Sequence, residues 1–439
     1  RAAMRPRNCC LVEACPDADA GSIGPFYVAH HARTAGHRVD VLRNTKAGYD
    51  VELISVHHCD NFPNLAALPK RAKWRIVGGH VMQNNPRPAI PYADVVCVGE
   101  AETWIKRALD LLAETGHVEA LAELPGTILS SRWRAGDQLP APNFERPLPN
   151  NPPYLNRPGT RSAAWYVEIG RGCPFNCHYC ELGHSSPARI YRKDHLISVL
   201  EQCDLKITRK INFYAPDEAS HPDYLPLFQW LHGKGYLAGF ASMRVDTVMK
   251  NRPPIRSNQL IRVGIDGLSD AIRKMVNKPI LIPQIVDYFD TFLKAGHIQF
   301  KMFQIFGYPW ETLDDFSEFE FLMAQILRLP DRKNASLRIK WTPLIPQPCT
   351  PLGDAIAIYD HAMVDKINVW HALNSRPRSE PGFFVENDGL MSARSHKRQC
   401  QLTHGNEAVL EQMRLAKLPP LHPPALHGAP PSPLRWEMK

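Results

Sequence analysis

The chain has 439 residues, which at roughly 100–200 residues per domain predicts two or three domains. Hydrophobic residues make up 44% and charged residues 22%, the composition of a soluble globular protein, and no stretch approaches the ~20 apolar residues of a membrane span. The formal net charge of +8 and the pI of about 8.9 come from diffuse charge with no Lys/Arg block, so they read as a mildly basic surface and lend a nucleic-acid partner only weak support.

The apolar run after Asn8 is short and leads into acidic residues, unlike a secretory signal. The chain starts at Arg1 rather than Met, so its N-terminus is not taken as the native start. Eleven cysteines, three of them tightly clustered, point to metal or redox chemistry in a reducing, cytoplasmic setting rather than to a disulfide framework.

In chain order, Cys9–Glu13 reads as a strand, Gly24–Ala35 as a helix and Arg38–Leu42 as a strand. Val51–Val56, Trp74–Val77 and Val95–Val98 are further β-branched runs, and Ala101–Glu114 is a helix. Short buried strands alternating with helices predict a Rossmann-like, doubly wound parallel sheet over residues 1–120. Ligands of such sheets sit at the carboxyl ends of the strands, where Gly78, Gly79, His80, Gly99 and Glu100 fall. Residues 121–160 are read as a hairpin around Ala135-Gly136-Asp137 followed by a Pro/Asn-rich linker, Pro147–Pro153.

From 161 to 355 the alternation resumes. Strands are expected at Trp165–Ile169, Lys210–Tyr214, Ala238–Met243, Leu260–Ile265, Gln299–Phe306 and Leu337–Leu344. Helices lie between them, such as Tyr224–His232, Pro283–Ala295 and Asp314–Leu327. Six such units predict a partial (β/α)6 barrel. Residues 356–439 form a C-terminal extension whose end, Leu418–Arg435, is rich in Pro and His and is expected to be extended.

Cys173, Cys177 and Cys180 follow the first barrel strand and so occupy the loop at the catalytic face. Three thiolates can hold a [4Fe–4S] cluster and leave one iron open to a ligand. Gly170 and Gly172 let the loop wrap closely. The spacing alone also admits a zinc site completed by His178 or His184.

The C-x3-C-x2-C spacing, with Tyr179 before the last Cys and Gly170-Arg171-Gly172 in front, resembles the signature of the radical S-adenosylmethionine (SAM) superfamily. The resemblance extends along the barrel. Asp217 and Glu218 follow the second strand, where the family binds the SAM amino group. Arg244, in Ser242-Met243-Arg244-Val245-Asp246, matches the family's Arg-containing strand end and would pair with the SAM carboxylate. Gly264-Ile265-Asp266-Gly267 followed by Asn277-Lys278 is similar to "G-x-E-S … M-N-K", with Asp266 in place of Glu. Gly307-Tyr308-Pro309-Trp310-Glu311-Thr312 is similar to "G-x-P-G-E-T", and Thr342-Pro343 through Leu352 to "P-x-P-G-T-P-L", with Cys349 where Gly is common. The resemblance implies reductive cleavage of SAM to a 5′-deoxyadenosyl radical, with an electron donor such as flavodoxin or ferredoxin and an unidentified substrate. Cys349 is a candidate hydrogen-atom donor or metal ligand.

Ahead of the barrel, Gly78-Gly79-His80, Gly99-Glu100-Ala101-Glu102 and Leu124-Pro125-Gly126 resemble the cobalamin-binding domain of one radical SAM class. The D-x-H-x-x-G motif for an axial His is absent, and His57, His58 and His80 are candidate ligands. This implies methyl transfer from cobalamin to a substrate carbon. A cobalamin-independent radical SAM enzyme (a methylthiotransferase, with Cys10 or Cys15 and Cys59 near a second cluster, or an isomerase or cyclase) is the alternative. A metal-bearing nucleic-acid-binding protein without SAM turnover is the alternative of another class.

Overall fold

The computed structural model describes residues 6–14, 23–239, 242–251, 260–330, 334–375 and 383–415. The chain divides into two compact units. The first takes residues 6–167 with 198–208 and 401–415; the second takes 168–197 and 209–400. The Leu418–Arg435 tail and Cys15 lie outside the described residues. Among the described residues no helix is long and apolar enough to cross a membrane.

The first unit carries β1 (Asn8–Glu13), α1 (Ile23–Thr34), β2 (Arg38–Leu42), β3 (Val51–Ser55), α2 (Phe62–Ala67), β4 (Trp74–Gly78), β5 (Val95–Cys97), α3 (Glu102–Thr115) and β6 (Thr127–Leu129). The sheet order is β2-β1-β3-β4-β5-β6, so strand order reverses beside β1. All its pairings are parallel except β5–β6. The near-continuous apolar runs of β1, β3 and β5 reflect burial on both faces. On α3, Trp104, Ile105, Ala108, Leu109 and Leu112 form the buried stripe. The helix stops at Gly116, whose left-handed backbone returns its N–H to the Leu112 carbonyl at 3.0 Å.

One charged pair lies inside this sheet. Glu52 on β3 and Arg75 on β4 are in register, fully buried, and bonded Nε to Oε2 at 2.8 Å. Glu52 Oε1 also accepts the Ala72 N–H at 2.9 Å, and Arg75 donates to the Leu68 carbonyl at 3.0 Å, while Arg75 Nη2 is buried with no hydrogen-bond partner among the described residues.

The expected hairpin around Ala135-Gly136-Asp137 does not form. Thr127–Leu129 instead joins the sheet antiparallel to Val95–Cys97, and Trp133 N–H closes onto the Leu129 carbonyl at 3.1 Å. The turn itself closes, Asp137 N–H donating to the Arg134 carbonyl at 3.0 Å, but its flanks do not pair as strands. The unit closes with β7 (Tyr154–Asn156) antiparallel to β8 (Ala164–Glu168). Its core also includes Leu402, Val409 and Leu410, from the C-terminal end of the chain.

The second unit continues with β9 (Gly170–Arg171), β10 (Arg189–Ile190), α4 (Lys193–Leu200), β11 (Lys210–Tyr214), α5 (Tyr224–Gly233), β12 (Leu237–Gly239), β13 (Ser242–Met243), α6 (Val245–Asn251), β14 (Ile261–Gly264), α7 (Asp270–Met275), α8 (Ile282–Lys294), β15 (Gln299–Phe306), α9 (Leu313–Leu327), β16 (Ser336–Pro343), α10 (His361–Asn374), β17 (Phe384–Leu390), α11 (Ala393–His404) and α12 (Val409–Leu415), the last helix lying in the first unit. β11 pairs with β12, and β13-β14-β15-β16-β17 form a sheet, all in parallel. The parallel strands and intervening helices are those of a partial barrel. β15 and β16 alternate strictly between buried and half-buried residues, so one face packs on helices and the other lines the concave side. α8 buries Ile285, Tyr288, Phe289, Phe292 and Leu293, each contributing about 1.5–3 kcal/mol of apolar burial.

β17 lies beyond the six expected strands. Phe384 and Val385 are buried, but the rest of the strand, Glu386-Asn387-Asp388-Gly389, carries little apolar signal. Pairing with β16 supplies what the sequence pattern lacks.

Candidate active site

The site is built on the loop after β8. Its base is fixed by Glu168, which accepts both Arg171 Nε (2.8 Å) and Nη2 (3.0 Å) and the Tyr191 hydroxyl (3.1 Å). Ile169 N–H donates to the Tyr214 carbonyl at 3.0 Å, and its own carbonyl accepts from Tyr191 N–H at 3.1 Å. The loop is then held by backbone bonds: Cys173 N–H to Leu182 O (3.1 Å), His178 N–H to Val276 O (3.0 Å), and Leu352 N–H to His178 O (3.2 Å). His184 Nε2 meets the Cys177 carbonyl at 3.1 Å, which employs that imidazole on backbone.

Cys177 is buried, while Cys173 and Cys180 are half-buried. Burial pushes the Cys180 thiol up to about 12, and the neighbouring Cys177 and Cys173 add to it. Three thiols on a loop at the carboxyl end of a strand fit an iron–sulfur cluster with three protein ligands.

Two groups of side chains meet this loop. In the first, Arg244 follows β13, and its Nη1 lies 3.3 Å from Cys177 Sγ. The guanidinium lies over Phe175 at 3.9 Å and is gripped by Asp246 through Nε (3.0 Å) and Nη2 (2.9 Å). Asp217, at the end of the β11 segment, accepts the Arg244 backbone N–H and the Thr247 hydroxyl, both at 3.3 Å. Its second oxygen is buried with no hydrogen-bond partner among the described residues, and burial raises its pKa. Glu218, next in sequence, is fully buried.

In the second group, Asp266 follows β14 with φ of +59°, a conformation that costs a non-glycine residue free energy and persists because its side chain is over-determined. Its Oδ2 accepts Tyr179 O–H at 2.9 Å and pairs with Lys278 Nζ at 2.5 Å, and its carbonyl accepts Tyr308 O–H at 2.8 Å. A Cβ at Gly264 would come within 2.7 Å of the Asp266 carboxylate, so only glycine leaves room there. Tyr308, Leu344 and Leu352, with Tyr179, Ile305 and Trp310 against them, form an apolar wall beside the loop.

The structure thus brings together Cys173, Cys177, Cys180, Tyr179, Asp217, Arg244 and Asp266. Asp266 spends its carboxylate on Tyr179 and Lys278. Sequence reasoning missed Phe175, Asp246 and Lys278 as working partners, although the Arg244–Asp246 spacing and the Asn277-Lys278 match were visible. Cys349 lies half-buried after β16, its thiol pushed up to about 12 by burial and then by Glu181.

In the first unit the expected residues lie at the carboxyl ends of β4 and β5. Gly79 has φ of +116°, and a Cβ there would sit 2.3 Å from the Val56 carbonyl oxygen; Gly99 has φ of +116° and would meet Asn143 O at 2.2 Å. Both are therefore required by packing of the chain on itself. Gly78 would meet only Cys97 at 3.7 Å. Glu100 accepts the Glu145 N–H at 2.8 Å, and its own N–H donates to Asn143 O at 2.8 Å. His80 and His57 place their rings 6.1 Å apart at the strand ends, imidazole donors of a kind that fits the cobalt of a corrin. His58, Cys59 and Asp60 also bring ligand atoms within 4.8 Å, but His58 Nδ1 accepts the Asp60 N–H at 3.3 Å and its N–H donates to Asn61 at 3.0 Å, which makes the group a helix cap.

No family model matches the chain. Its fold resembles that of TsrM of Kitasatospora setae, a radical SAM methyltransferase solved with cobalamin and a [4Fe–4S] cluster: TM-score 0.59, 12% identity, 95% of this chain and 90% of that one. The fold is that of the radical SAM enzymes with an N-terminal cobalamin-binding domain. TsrM bound to tryptophan and a SAM analogue aligns at TM-score 0.58 and 13% identity over 79% of this chain and 75% of that one. The cobalamin-dependent SAM radical enzyme OxsB with aqua-cobalamin aligns at TM-score 0.52 and 12% identity over 73% of this chain and 52% of that one. Among curated sequences, an uncharacterized protein of Methanocaldococcus jannaschii, MJ0966, is 24% identical over 351 residues, 78% of this chain and 74% of that protein. Hopanoid C-3 methylase of Methylococcus capsulatus is 27% identical over 228 residues, 45% of this chain and 42% of the methylase.

Proposed function

We propose that this protein is a cobalamin-dependent radical SAM enzyme that transfers a methyl group to a substrate carbon. The observation that carries the reading is the contact of Arg244 with both the Cys177 sulfur of the three-cysteine loop, at 3.3 Å, and the Asp217 carboxylate, at 3.3 Å. When bound, the cluster and SAM supply a 5′-deoxyadenosyl radical by one-electron cleavage, and cobalamin supplies the methyl carrier.

Cys173, Cys177 and Cys180 would hold the cluster, three thiolates leaving one iron open for SAM. Asp217 offers a buried oxygen to the SAM amino group, with Glu218 beside it. Arg244, having spent three N–H groups on Asp246 and Cys177, keeps two for the SAM carboxylate. Tyr179 and Tyr308, tied to Asp266, fix the loop, and the apolar wall around them excludes water from a reactive radical. Cys349, half-buried after β16, would serve as a hydrogen-atom donor. Gly78, His57 and His80 would hold the corrin. The TsrM and hopanoid methylase likenesses support methyl transfer. A flavodoxin or ferredoxin supplies the electron.

The test is anaerobic reconstitution with iron, sulfide and hydroxocobalamin, followed by assay with methyl-labelled SAM against candidate carbon substrates. The proposal expects a stoichiometric corrinoid and a labelled methyl in product. A second reading, a cobalamin-independent radical SAM enzyme, is favoured by the finding that Gly79 and Gly99 are accounted for by internal packing. It predicts 5′-deoxyadenosine, no retained corrinoid and a product with no added methyl.

A further inference from the structure

Arg244 is held from several sides. Asp246 takes Nε and Nη2, Phe175 lies under the guanidinium plane at 3.9 Å, and Asp217 accepts the backbone N–H at 3.3 Å. What this fixed geometry presents to the cluster loop is Nη1, 3.3 Å from the sulfur of Cys177, the most buried of the three thiols. The charges on its two sides are unequally screened. The Asp246 side chain is 37% exposed, so water weakens its opposing field, whereas Arg244 is 10% exposed and Cys177 is buried.

We infer that Arg244, beyond any role toward SAM, donates a hydrogen bond to the cluster-bound thiolate of Cys177 and raises the reduction potential of the cluster. The inference rests on the reading that Cys173, Cys177 and Cys180 carry a [4Fe–4S] cluster. Reduction adds one electron, drawn from a low-potential one-electron donor, and no bond to the thiolate is made or broken. The added negative charge spreads onto the sulfurs. A donor N–H and a fixed positive charge beside one sulfur therefore stabilise the reduced form more than the oxidised form. Arginine suits this position because it is charged at every working pH, stacks on Phe175, and can grip Asp246 with one edge while aiming another N–H at sulfur. Lysine could supply charge but neither the stacking nor the fork. The three remaining polar partners around it, Asp217, Asp246 and Thr247, then act as positioning residues for the guanidinium.

The experiment uses the full chain with its cluster reconstituted anaerobically, SAM and substrate absent. Arg244→Gln and Arg244→Lys are compared with wild type by iron content, by EPR-monitored redox titration with dithionite and mediators, and by the Fe–S(Cys) stretching bands in resonance Raman. For Arg244→Gln the reduced-to-oxidised ratio at a fixed potential should fall at least about tenfold, a 59 mV drop for one electron. A stretching band should move up as the sulfur loses its donor. Arg244→Lys should fall between the two. A wild-type midpoint and spectrum in Arg244→Gln with full iron would overturn the inference. If Arg244→Gln does not retain the cluster, Arg244→Lys decides: unchanged midpoint and bands overturn it, a partial drop supports it. A wild-type protein that assembles zinc instead of a [4Fe–4S] cluster overturns the underlying reading of the cysteines, a result separable from an unshifted cluster.

Discussion

The strand ends of the two units are furnished differently. In the barrel unit, side chains from separate strands converge on one loop: Arg244 reaches Cys177, and Asp266 reaches Tyr179. In the N-terminal unit, the glycines that suggested a cofactor cradle are filled by the chain itself, Gly79 against Val56 and Gly99 against Asn143. Glu100 is likewise engaged with the backbone of Glu145. Candidate cofactor-binding side chains therefore converge in one region, while in the other the expected glycines serve the packing of the chain on itself. A glycine pair at a strand end is weak testimony until its neighbours are known.

The largest effect that could break this contrast comes from the cysteines. Cys177→Ala should reduce reconstituted iron from about four atoms per chain to background, as a cubane needs its thiolates. Cys59→Ala should leave the iron unchanged, because its sulfur accepts the Thr403 hydroxyl at 3.4 Å within the packing of the first unit. Loss of iron in Cys59→Ala would revive the methylthiotransferase alternative.

Next in size are two buried ion pairs, one taken from each unit. Lys278→Met strands the Asp266 carboxylate, and Arg75→Met strands Glu52; each should cost about 3–5 kcal/mol in urea denaturation. Asp266→Asn should cost less than Lys278→Met, because the amide oxygen still accepts the Tyr179 O–H. Equal losses for the two would mean that Lys278, not the strand-to-loop clasp, is what matters.

A pH-dependent effect of comparable size belongs to Glu311. Burial raises its pKa from 4.5 to about 8. The folded state thus binds a proton that the unfolded state has released across that window. Stability from this group is full below about pH 4.5 and declines as pH rises toward about 8, by up to about 1.4 kcal/mol per pH unit. Glu311→Gln should flatten that slope in urea titrations between pH 5 and 8. The smallest effect expected is Trp104→Phe, which removes the 2.9 Å bond to Thr127 Oγ1 and should cost about 1 kcal/mol with cluster content unchanged.

Much of this architecture was legible in sequence because short β-branched runs and helical stripes carry their own periodicity. Val51–Ser55 and Gln299–Phe306 fall where their residues predict. Phe384–Leu390 did not, because its strand conformation comes from the neighbour β16. The Ala135-Gly136-Asp137 turn misled because a turn sequence reports local bending, not which strand pairs with which. Leu402, Val409 and Leu410 were invisible as core because their partners, such as Phe62 and Val81, are hundreds of residues away. In the site, the cysteine spacing announced itself, whereas Lys278 gained its meaning only once Asp266 was seen to turn its carboxylate toward it.

The central claim is that three thiolates hold a cluster whose open iron receives SAM. Its most direct measurement is EPR of the anaerobically reconstituted, dithionite-reduced protein before and after SAM is added. The account predicts a [4Fe–4S] signal that changes shape on SAM addition. Stoichiometric zinc, or a cluster signal indifferent to SAM, would contradict it.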